Sequence, residues 1–334
     1  MEFVRDTIQF VRMHQPRGII LGGKRFFGFH TDRPRDRAKR MHVGMLLAHF
    51  GAQAIPGGGS LATFRAPIFD QGQTGSCGGH GSAQLTYTAF GAAGMVLPFI
   101  PSPNFIYANT RIEELAGPSL ALQDTGIAPT DLITALQLYG IRSMLTTPGL
   151  VSGKTPDGRQ SDVWGPTDVA ALANIAANVN DKPDMQEHEE GLQNVIAGEY
   201  EIPVGQTGTG GTDDNMASII SITKRPVGVG LFVDSSVMQW KAGMTPIDSI
   251  NMNDPEGGGH WVSCDSYTTM EVNGLSQRVY EIPNSWGVEY GQNGVVLITA
   301  RALGQSMSDC IAWTVRQGGS TSVPSLPAQL KKAA

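Results

Sequence analysis

The spacing of apolar residues in this chain changes at Pro226. Before it, small and apolar residues recur at helical spacing; after it, short apolar runs alternate with turns, and Asn273-Gly274 is typical of a hairpin. The predicted helices span residues 81–90, 103–115 and 129–139, and the predicted strands span 227–233, 261–267, 279–283, 294–299 and 310–315. This segregation favours an α+β fold with two lobes, one helical and N-terminal, the other an antiparallel sheet or barrel, with a cleft between them.

The composition is that of a folded protein and excludes several classes. With 334 residues, 40% of them apolar and 16% charged, the chain can bury a substantial core. Three widely spaced cysteines (Cys77, Cys264 and Cys310) indicate neither a disulfide framework nor a zinc finger, so we expect no metal and no cofactor. No apolar run reaches the roughly 20 residues that span a bilayer, and no signal peptide is evident. We therefore expect a cytoplasmic protein without a membrane partner.

The net charge of −6 is unevenly distributed. Residues 1–65 carry eleven basic and four acidic side chains, a net of +7, and the remainder carries a net of −13. A basic arm, taken as residues 1–59, could dock on its own acidic body, on a protein partner or on nucleic acid. The basic residues are not part of a nucleic-acid-binding motif in which aromatic and basic side chains alternate, so nucleic acid is not the expected partner.

Two short segments, far apart in the sequence, carry residues suited to acyl transfer. Residues 70–77 form a glycine-rich loop that ends at Cys77, at the start of a predicted helix, and residues 258–261 contain His260. A helix N-terminus and a neighbouring imidazolium both lower the pKa of a thiol. Cys77 is thus the candidate nucleophile, and His260 the candidate base and acid.

Further residues could complete such a site. Asn284 could orient the His260 ring, and Trp286 could keep water from the hydrogen bond between them. The Gln71 side chain and the Cys77 backbone N–H could donate to an oxyanion, where one donor is typically worth ~3 kcal/mol of the barrier.

These segments resemble the papain-like cysteine peptidases, and more specifically their disulfide-poor bacterial and phage-type branch. Residues 71–77 match the segment from the oxyanion glutamine to the nucleophile, Gly259-His260 matches the histidine strand, and residues 284–294 match the Asn-Ser-Trp-Gly-x-x-x-Gly-x-x-Gly signature. The resemblance implies a papain-like fold and hydrolysis of peptide bonds in a peptide or protein substrate through a thioester at Cys77.

The same resemblance extends to the segments that would hold substrate. Residues 124–126 resemble the segment whose glycine pairs with bound peptide, which implies substrate contacts at Gly126, and also at Gly259 and Trp286. Residues 27–36 resemble the entry strand that precedes the enzyme domain in bacterial members. Two departures are Thr74, where many members have a disulfide cysteine, and Gly78, where they have a tryptophan.

The resemblance covers about residues 60–150 and 220–316. We therefore predict a peptidase domain at 60–316 with an insertion at 150–215, a C-terminal tail at 317–334, and an arm at 1–59 that is a docking arm or a reduced prosegment. Within the insertion, helices are predicted at 168–179 and 185–196, and a flexible glycine-rich stretch at 205–214.

Two other functions are compatible with the sequence. One is a catalytically weak or inert papain fold used as a structural or binding module, for instance a component of a phage virion; the glycines after Cys77 and the basic arm favour it, and the intact site residues disfavour it. The location would then be virion-associated. The other is a cysteine amidase on cell-wall peptides or another acyl transferase, which the Asn-Ser-Trp-Gly run disfavours. Cys264 and Cys310 are expected in the core, and His80 in a packing or substrate-side role.

Overall fold

A computed structural model describes residues 28–30, 41–95, 97, 99–114, 122–143, 153–154, 160–161, 182–183, 185–206 and 208–317. The helix predicted at 168–179, most of the basic arm and nearly all of the C-terminal tail lie outside these ranges. In the described ranges no helix has the length and apolar character needed to cross a membrane. No group of three or more metal-ligating side chains occurs in them either.

Helices dominate the first half of the described chain. They are α1 Val43–Ala48, α2 Cys77–Ala92, α3 Pro103–Glu114, α4 Pro129–Leu138, α5 Met185–Gly191, α6 Thr212–Ser221, α7 Ser235–Gln239 and α8 Ala300–Ser306. The α4 helix begins at Pro129, where the missing N–H of proline costs nothing. The three helices predicted before residue 140 are thus confirmed.

The glycines at the start of α2 permit close approaches by neighbouring segments. A Cβ atom at Gly78 would lie 1.9 Å from Ile127 Cδ1, and one at Gly79 would lie 2.3 Å from the Pro103 carbonyl oxygen. Glycines in the first turns cost helix stability, up to ~1 kcal/mol each relative to alanine. In return, α2 lies directly against α3 and the strand that carries His260.

Strands dominate the second half. They are β1 Met41–His42, β2 Gly58–Ser60, β3 Gly153–Lys154, β4 Gln160–Ser161, β5 Asn194–Glu201, β6 Val227–Val233, β7 Gly258–Cys264, β8 Ser266–Val272, β9 Leu275–Pro283, β10 Val295–Thr299 and β11 Met307–Gln317. The larger sheet has the order β1-β5-β11-β6-β7, and a second sheet has the order β10-β9-β8-β2. Apart from the parallel β1–β5 pair, the pairings in these two sheets are antiparallel.

The α+β prediction is therefore confirmed, and the described strands form two open sheets and a separate antiparallel β3–β4 pair rather than a closed barrel. The predicted hairpin is also confirmed: β8 and β9 pair through Val272 and Leu275, and Asn273 and Gly274 have the positive φ angles of 52° and 78° that this two-residue turn requires.

One helix prediction is wrong in its second half. The helix predicted at 185–196 ends at Gly191, and residues 194–201 form β5, which lies between β1 and β11. Gly191 is packed against the end of α4, since a Cβ there would lie 2.3 Å from the Tyr139 carbonyl oxygen. Pairing with β11 thus overrides a local helical pattern.

The stretch predicted to be flexible at 205–214 contains the start of α6 at Thr212. The wider insertion at 150–215 stays a prediction.

One apolar cluster joins the two halves. It includes Phe69 and Cys77 from the helical half and Trp261, Ile311 and Trp313 from the larger sheet, all of them buried. The indole N–H of Trp261 donates to Ser82 Oγ on α2 at 3.0 Å. This junction places the start of α2 against β7.

Candidate active site

The loop that leads to Cys77 is fastened to the Asn-Ser-Trp-Gly segment. The Gln71 backbone N–H donates to the Ser285 carbonyl oxygen at 2.8 Å, and the Gly287 N–H donates to the Phe69 carbonyl oxygen at 2.9 Å. Asp70 closes the turn, because its carboxylate accepts from the Gly72 N–H at 2.9 Å and Gly72 has a φ of 58°. Two segments more than 200 residues apart therefore lie side by side.

The Gln71 side chain is buried and held at both ends. Its Oε1 accepts from Ser285 Oγ at 2.6 Å, and its Nε2 donates to the Thr74 carbonyl oxygen at 2.8 Å. Sequence reasoning does not single out Ser285, although it lies within the signature. The Thr74 carbonyl can only accept, so it fixes which end of the carboxamide carries the N–H groups, and the Ser285 hydroxyl donates to the other end.

His260 and Asn284 are brought together on β7 and the segment after β9. His260 Nε2 lies 2.8 Å from Asn284 Oδ1, which also accepts from the Ser285 backbone N–H at 2.7 Å. A backbone N–H can only donate, so this atom of Asn284 is the oxygen, and His260 Nε2 must carry a hydrogen. In the neutral ring Nδ1 is then the basic nitrogen.

Trp286 covers this hydrogen bond. Its ring stacks on the His260 ring with centroids 4.7 Å apart and an angle of 25° between the planes, and Tyr290 packs edge-on against the Trp286 ring. His260 and Asn284 are at most 1% exposed. The imidazole is therefore oriented in a site from which water is excluded. Trp286, for which a substrate contact is predicted, packs on the imidazole.

Cys77 is the first residue of α2 and lies against β7. The backbone groups of Trp261, which follows His260, and of Gly78 lie within hydrogen-bond reach of the thiol. Cys77 is fully buried, and burial raises the pKa of its thiol to about 11, while the nearby backbone groups lower it and the Asp124 charge raises it. The expectation of a lowered pKa is thus wrong for this form, because desolvation outweighs the helix N-terminus.

Residues 28–30 lie over the thiol and between the two predicted substrate-binding glycines. The Phe29 N–H donates to the Gly259 carbonyl oxygen at 3.4 Å, and the Gly28 carbonyl oxygen accepts from the Ile127 N–H at 2.6 Å. A Cβ at Gly126 would lie 2.1 Å from the Gly28 oxygen, and one at Gly259 would lie 2.3 Å from the Phe29 oxygen. Gly126 and Gly259 thus contact backbone, but it is backbone of the chain itself.

The Phe29 side chain fills a pocket of the larger sheet. Its ring stacks on Trp261 with centroids 5.3 Å apart, and a Cβ at Gly230 would lie 2.3 Å from its Cε1. Phe29 is 7% exposed. The pocket exists because β6 has a glycine there.

Asp124 and Tyr107 connect the loop before Cys77 to the segment at Gly126. Asp124 accepts from the Gly75 N–H at 3.0 Å, and Tyr107 donates to the Asp124 carboxylate at 2.7 Å. The Tyr107 hydroxyl in turn accepts from the Gly126 N–H at 2.9 Å. In the sequence Tyr107 has the pattern of an ordinary core residue of α3, so nothing there indicates this role.

The remaining candidates lie in the core. Cys264 and Cys310 are buried free thiols. His80 is fully buried, with Nδ1 2.9 Å from the Ser76 carbonyl oxygen and its ring edge-on to Phe69. Burial lowers the pKa of His80 to about 4, although its hydrogen bond to the Ser76 backbone raises it.

The buried His80 predicts an acid-sensitive fold. In the unfolded chain its pKa returns to about 6.5, so between pH 6.5 and 4 the unfolded state binds a proton that the native state does not. The free energy of unfolding should fall by ~3 kcal/mol across this window as the pH is lowered. Urea unfolding at pH 7.5 and 4.5 should show that His80→Asn removes most of this loss. The exposed His49, changed to Asn, is the control, and an unchanged pH dependence in His80→Asn would contradict the prediction.

Comparison with known proteins places this geometry in a known fold. No family model and no curated protein matches the sequence. Among solved structures, xylellain, a cysteine protease from Xylella fastidiosa, is 21% identical with a TM-score of 0.61, over 89% of this chain and all of that one.

Two proteins from other sources are similar as well. Procathepsin B S9 from Trypanosoma congolense is 13% identical with a TM-score of 0.60, over 94% of this chain and 98% of that one. Procathepsin L 3 from the larval midgut of Tenebrio molitor is 16% identical with a TM-score of 0.55, over 82% and 73% of the two chains. At such identities the likeness is one of fold, and this chain has the fold of the papain-like cysteine proteases.

Proposed function

We propose that this protein is a papain-like cysteine endopeptidase that hydrolyses peptide bonds through a thioester at Cys77. The observation that carries the proposal is the buried hydrogen bond from His260 Nε2 to Asn284 Oδ1, which lies beneath the Trp286 ring. His260 lies on β7, and Trp261, the next residue of that strand, contacts the Cys77 thiol. An imidazole held in this way has Nδ1 as its basic nitrogen, which is the tautomer that a general base needs.

The reaction would proceed in two steps. His260 takes the thiol proton, the sulfur bonds to the carbonyl carbon, and the C–N bond breaks as His260 gives that proton to the leaving amine. Water then attacks the thioester, His260 takes a proton from it, and the C–S bond breaks with the thiolate as leaving group. In both steps Gln71 Nε2 and the Cys77 backbone N–H would hold the oxyanion.

We further propose that the arm acts as a reduced prosegment and keeps the enzyme latent. The contacts of residues 28–30 with Ile127 and Gly259 support this, because they use the backbone positions that an extended peptide would need. The fully buried thiol and its raised pKa support it as well.

The same raised pKa favours a second candidate, an inert papain fold that serves as a structural or binding module, for instance as part of a phage virion. A thiol with a pKa of about 11 is almost wholly protonated at neutral pH. The oriented imidazole and the buried Gln71 favour the peptidase, since a module without catalysis has no need of either. A disulfide-poor bacterial or phage-type origin agrees with three free cysteines, and the location, like the lack of a cofactor or nucleic-acid partner, stays a prediction.

Thiol labelling separates the two candidates. The Phe29→Gly variant of the full chain, which lacks the ring that packs on Trp261 and holds residues 28–30 over the thiol, is incubated with an epoxide-type cysteine inhibitor, and the adduct is located by mass spectrometry. Cys264 and Cys310 serve as internal controls because both are buried thiols of the same chain. The peptidase requires selective labelling of Cys77 that is lost in His260→Ala. Equal, slow labelling of all three cysteines would point to the inert module.

A further inference from the structure

Three side chains form a continuous line from the loop before Cys77 into α2. Thr74 Oγ1 donates to the Gln71 carbonyl oxygen at 2.8 Å and lies 2.5 Å from Ser76 Oγ. Ser76 Oγ lies 3.1 Å from His80 Nδ1, which is also 2.9 Å from the Ser76 carbonyl oxygen. All four residues are at most 1% exposed.

The hydrogens along this line have one consistent arrangement. The Ser76 carbonyl can only accept, so His80 Nδ1 carries a hydrogen, and the Thr74 hydrogen is used on Gln71. The Ser76 hydroxyl therefore accepts from His80 and donates to Thr74. The bonds run in a single direction, from His80 through Ser76 and Thr74 to the Gln71 carbonyl. We call these three side chains the relay.

Both ends of the relay reach groups that would hold the oxyanion. At one end it fixes the Gln71 backbone, and the Gln71 side chain donates back to the Thr74 carbonyl. At the other end it fixes the Ser76 carbonyl, one residue before the Cys77 N–H. In a dry interior such a chain of hydrogen bonds is stiff, because each bond polarises the next.

We propose that His80, Ser76 and Thr74 are positioning residues that keep the Gln71 carboxamide and the Cys77 N–H in register as the two oxyanion donors. This inference rests on the proposed peptidase function. The relay acts through Gln71 and Cys77, not on substrate. A misplacement of such donors by a fraction of an ångström weakens their bonds to the oxyanion, which exists only after the sulfur has attacked.

The test is Thr74→Val, which removes the hydroxyl and keeps the shape of the side chain. The variants are made in the Phe29→Gly background, in which residues 28–30 are no longer held over the thiol. Relative to this parent we expect kcat on a peptide substrate to fall ~10-fold with KM within about twofold, less than the ~10²-fold loss of a whole oxyanion donor. Thr74→Ser, which retains the hydroxyl, should restore most of kcat. If Thr74→Val does not fold, Ser76→Ala interrupts the relay at its centre and carries the same expectation.

Thr88→Val is the matched control. Thr88 is fully buried on α2, and within the described part of the chain its hydroxyl has no hydrogen-bond partner. Its substitution in the same background should leave kcat within about twofold of the Phe29→Gly parent. Equal losses of kcat in both valine variants, or a loss in Thr74→Ser as large as in Thr74→Val, would mean that Thr74 acts only through its packing. Either result would overturn the inference.

The same measurements distinguish a failure of this inference from a failure of the proposed peptidase function. A Phe29→Gly parent that hydrolyses peptides, together with a Thr74→Val variant of unchanged kcat, overturns the relay alone. A Phe29→Gly parent that neither hydrolyses peptides nor labels selectively at Cys77 overturns both.

Discussion

Replacing His260 with Ala should lower kcat/KM for peptide hydrolysis by at least ~10⁴-fold, because the thiol then loses both its base and the acid for its leaving amine. Asn284→Ala should cost less, on the order of 10²-fold, since the imidazole remains but its orientation is no longer fixed. Both rates are to be measured in the Phe29→Gly background, in which the thiol is uncovered, with the same fluorogenic peptide and with protein whose folding is verified by its thermal unfolding.

The double variant sharpens this prediction. Asn284 contacts His260 directly, so its contribution to catalysis should vanish once the imidazole is absent. The His260→Ala, Asn284→Ala protein should therefore be no slower than His260→Ala. A further loss of ~10²-fold in the double variant would mean that Asn284 acts on the reaction by another route, and the assigned role would be wrong.

The second large effect concerns Phe29. Phe29→Gly should raise the rate of Cys77 alkylation at pH 7.5 by at least ~100-fold, because it removes the ring that holds residues 28–30 over the thiol. A thiol with a pKa of about 11 is ~0.03% thiolate at this pH, whereas one near 8.5 is ~10% thiolate. The pH at which alkylation is half-maximal should fall in parallel.

Phe64→Gly is the control for this variant. Phe64 is 41% exposed and belongs to a short 3-10 turn at Ala62–Phe64. Its substitution should change neither the alkylation rate nor its pH dependence. If Phe29→Gly also leaves both unchanged, residues 28–30 do not keep the thiol latent, and the arm has some other purpose.

The sequence predicts best those features that depend on residues close together. The hairpin at Asn273-Gly274 follows from two residues that tolerate positive φ. The proximity of His260 to Asn284 could be inferred because both lie in recognisable motifs. The role of Ser285 is visible only once the loop before Cys77 and the Asn-Ser-Trp-Gly segment lie side by side.

Features that depend on distant partners were not predictable in this way. The first residues of β5, 194–196, belong to the helix predicted at 185–196, and their pairing with β11 makes them part of a strand. The raised pKa of Cys77 depends on the complete burial of its thiol, which no local pattern encodes. The relay from His80 to Gln71 also needs the turn at residues 72–76, which brings the Thr74 and Ser76 hydroxyls into line with His80 on α2.

The tight contact at Gly28 has a consequence for inhibitor design. A Cβ atom there would lie 1.8 Å from the Gly75 carbonyl oxygen, so only glycine fits. A slide of the segment by one residue in either direction would bring a phenylalanine, from position 27 or 29, onto that oxygen. A synthetic peptide with the sequence of residues 27–30 should thus need Phe29 as its anchor and lose its affinity when alanine replaces this single glycine.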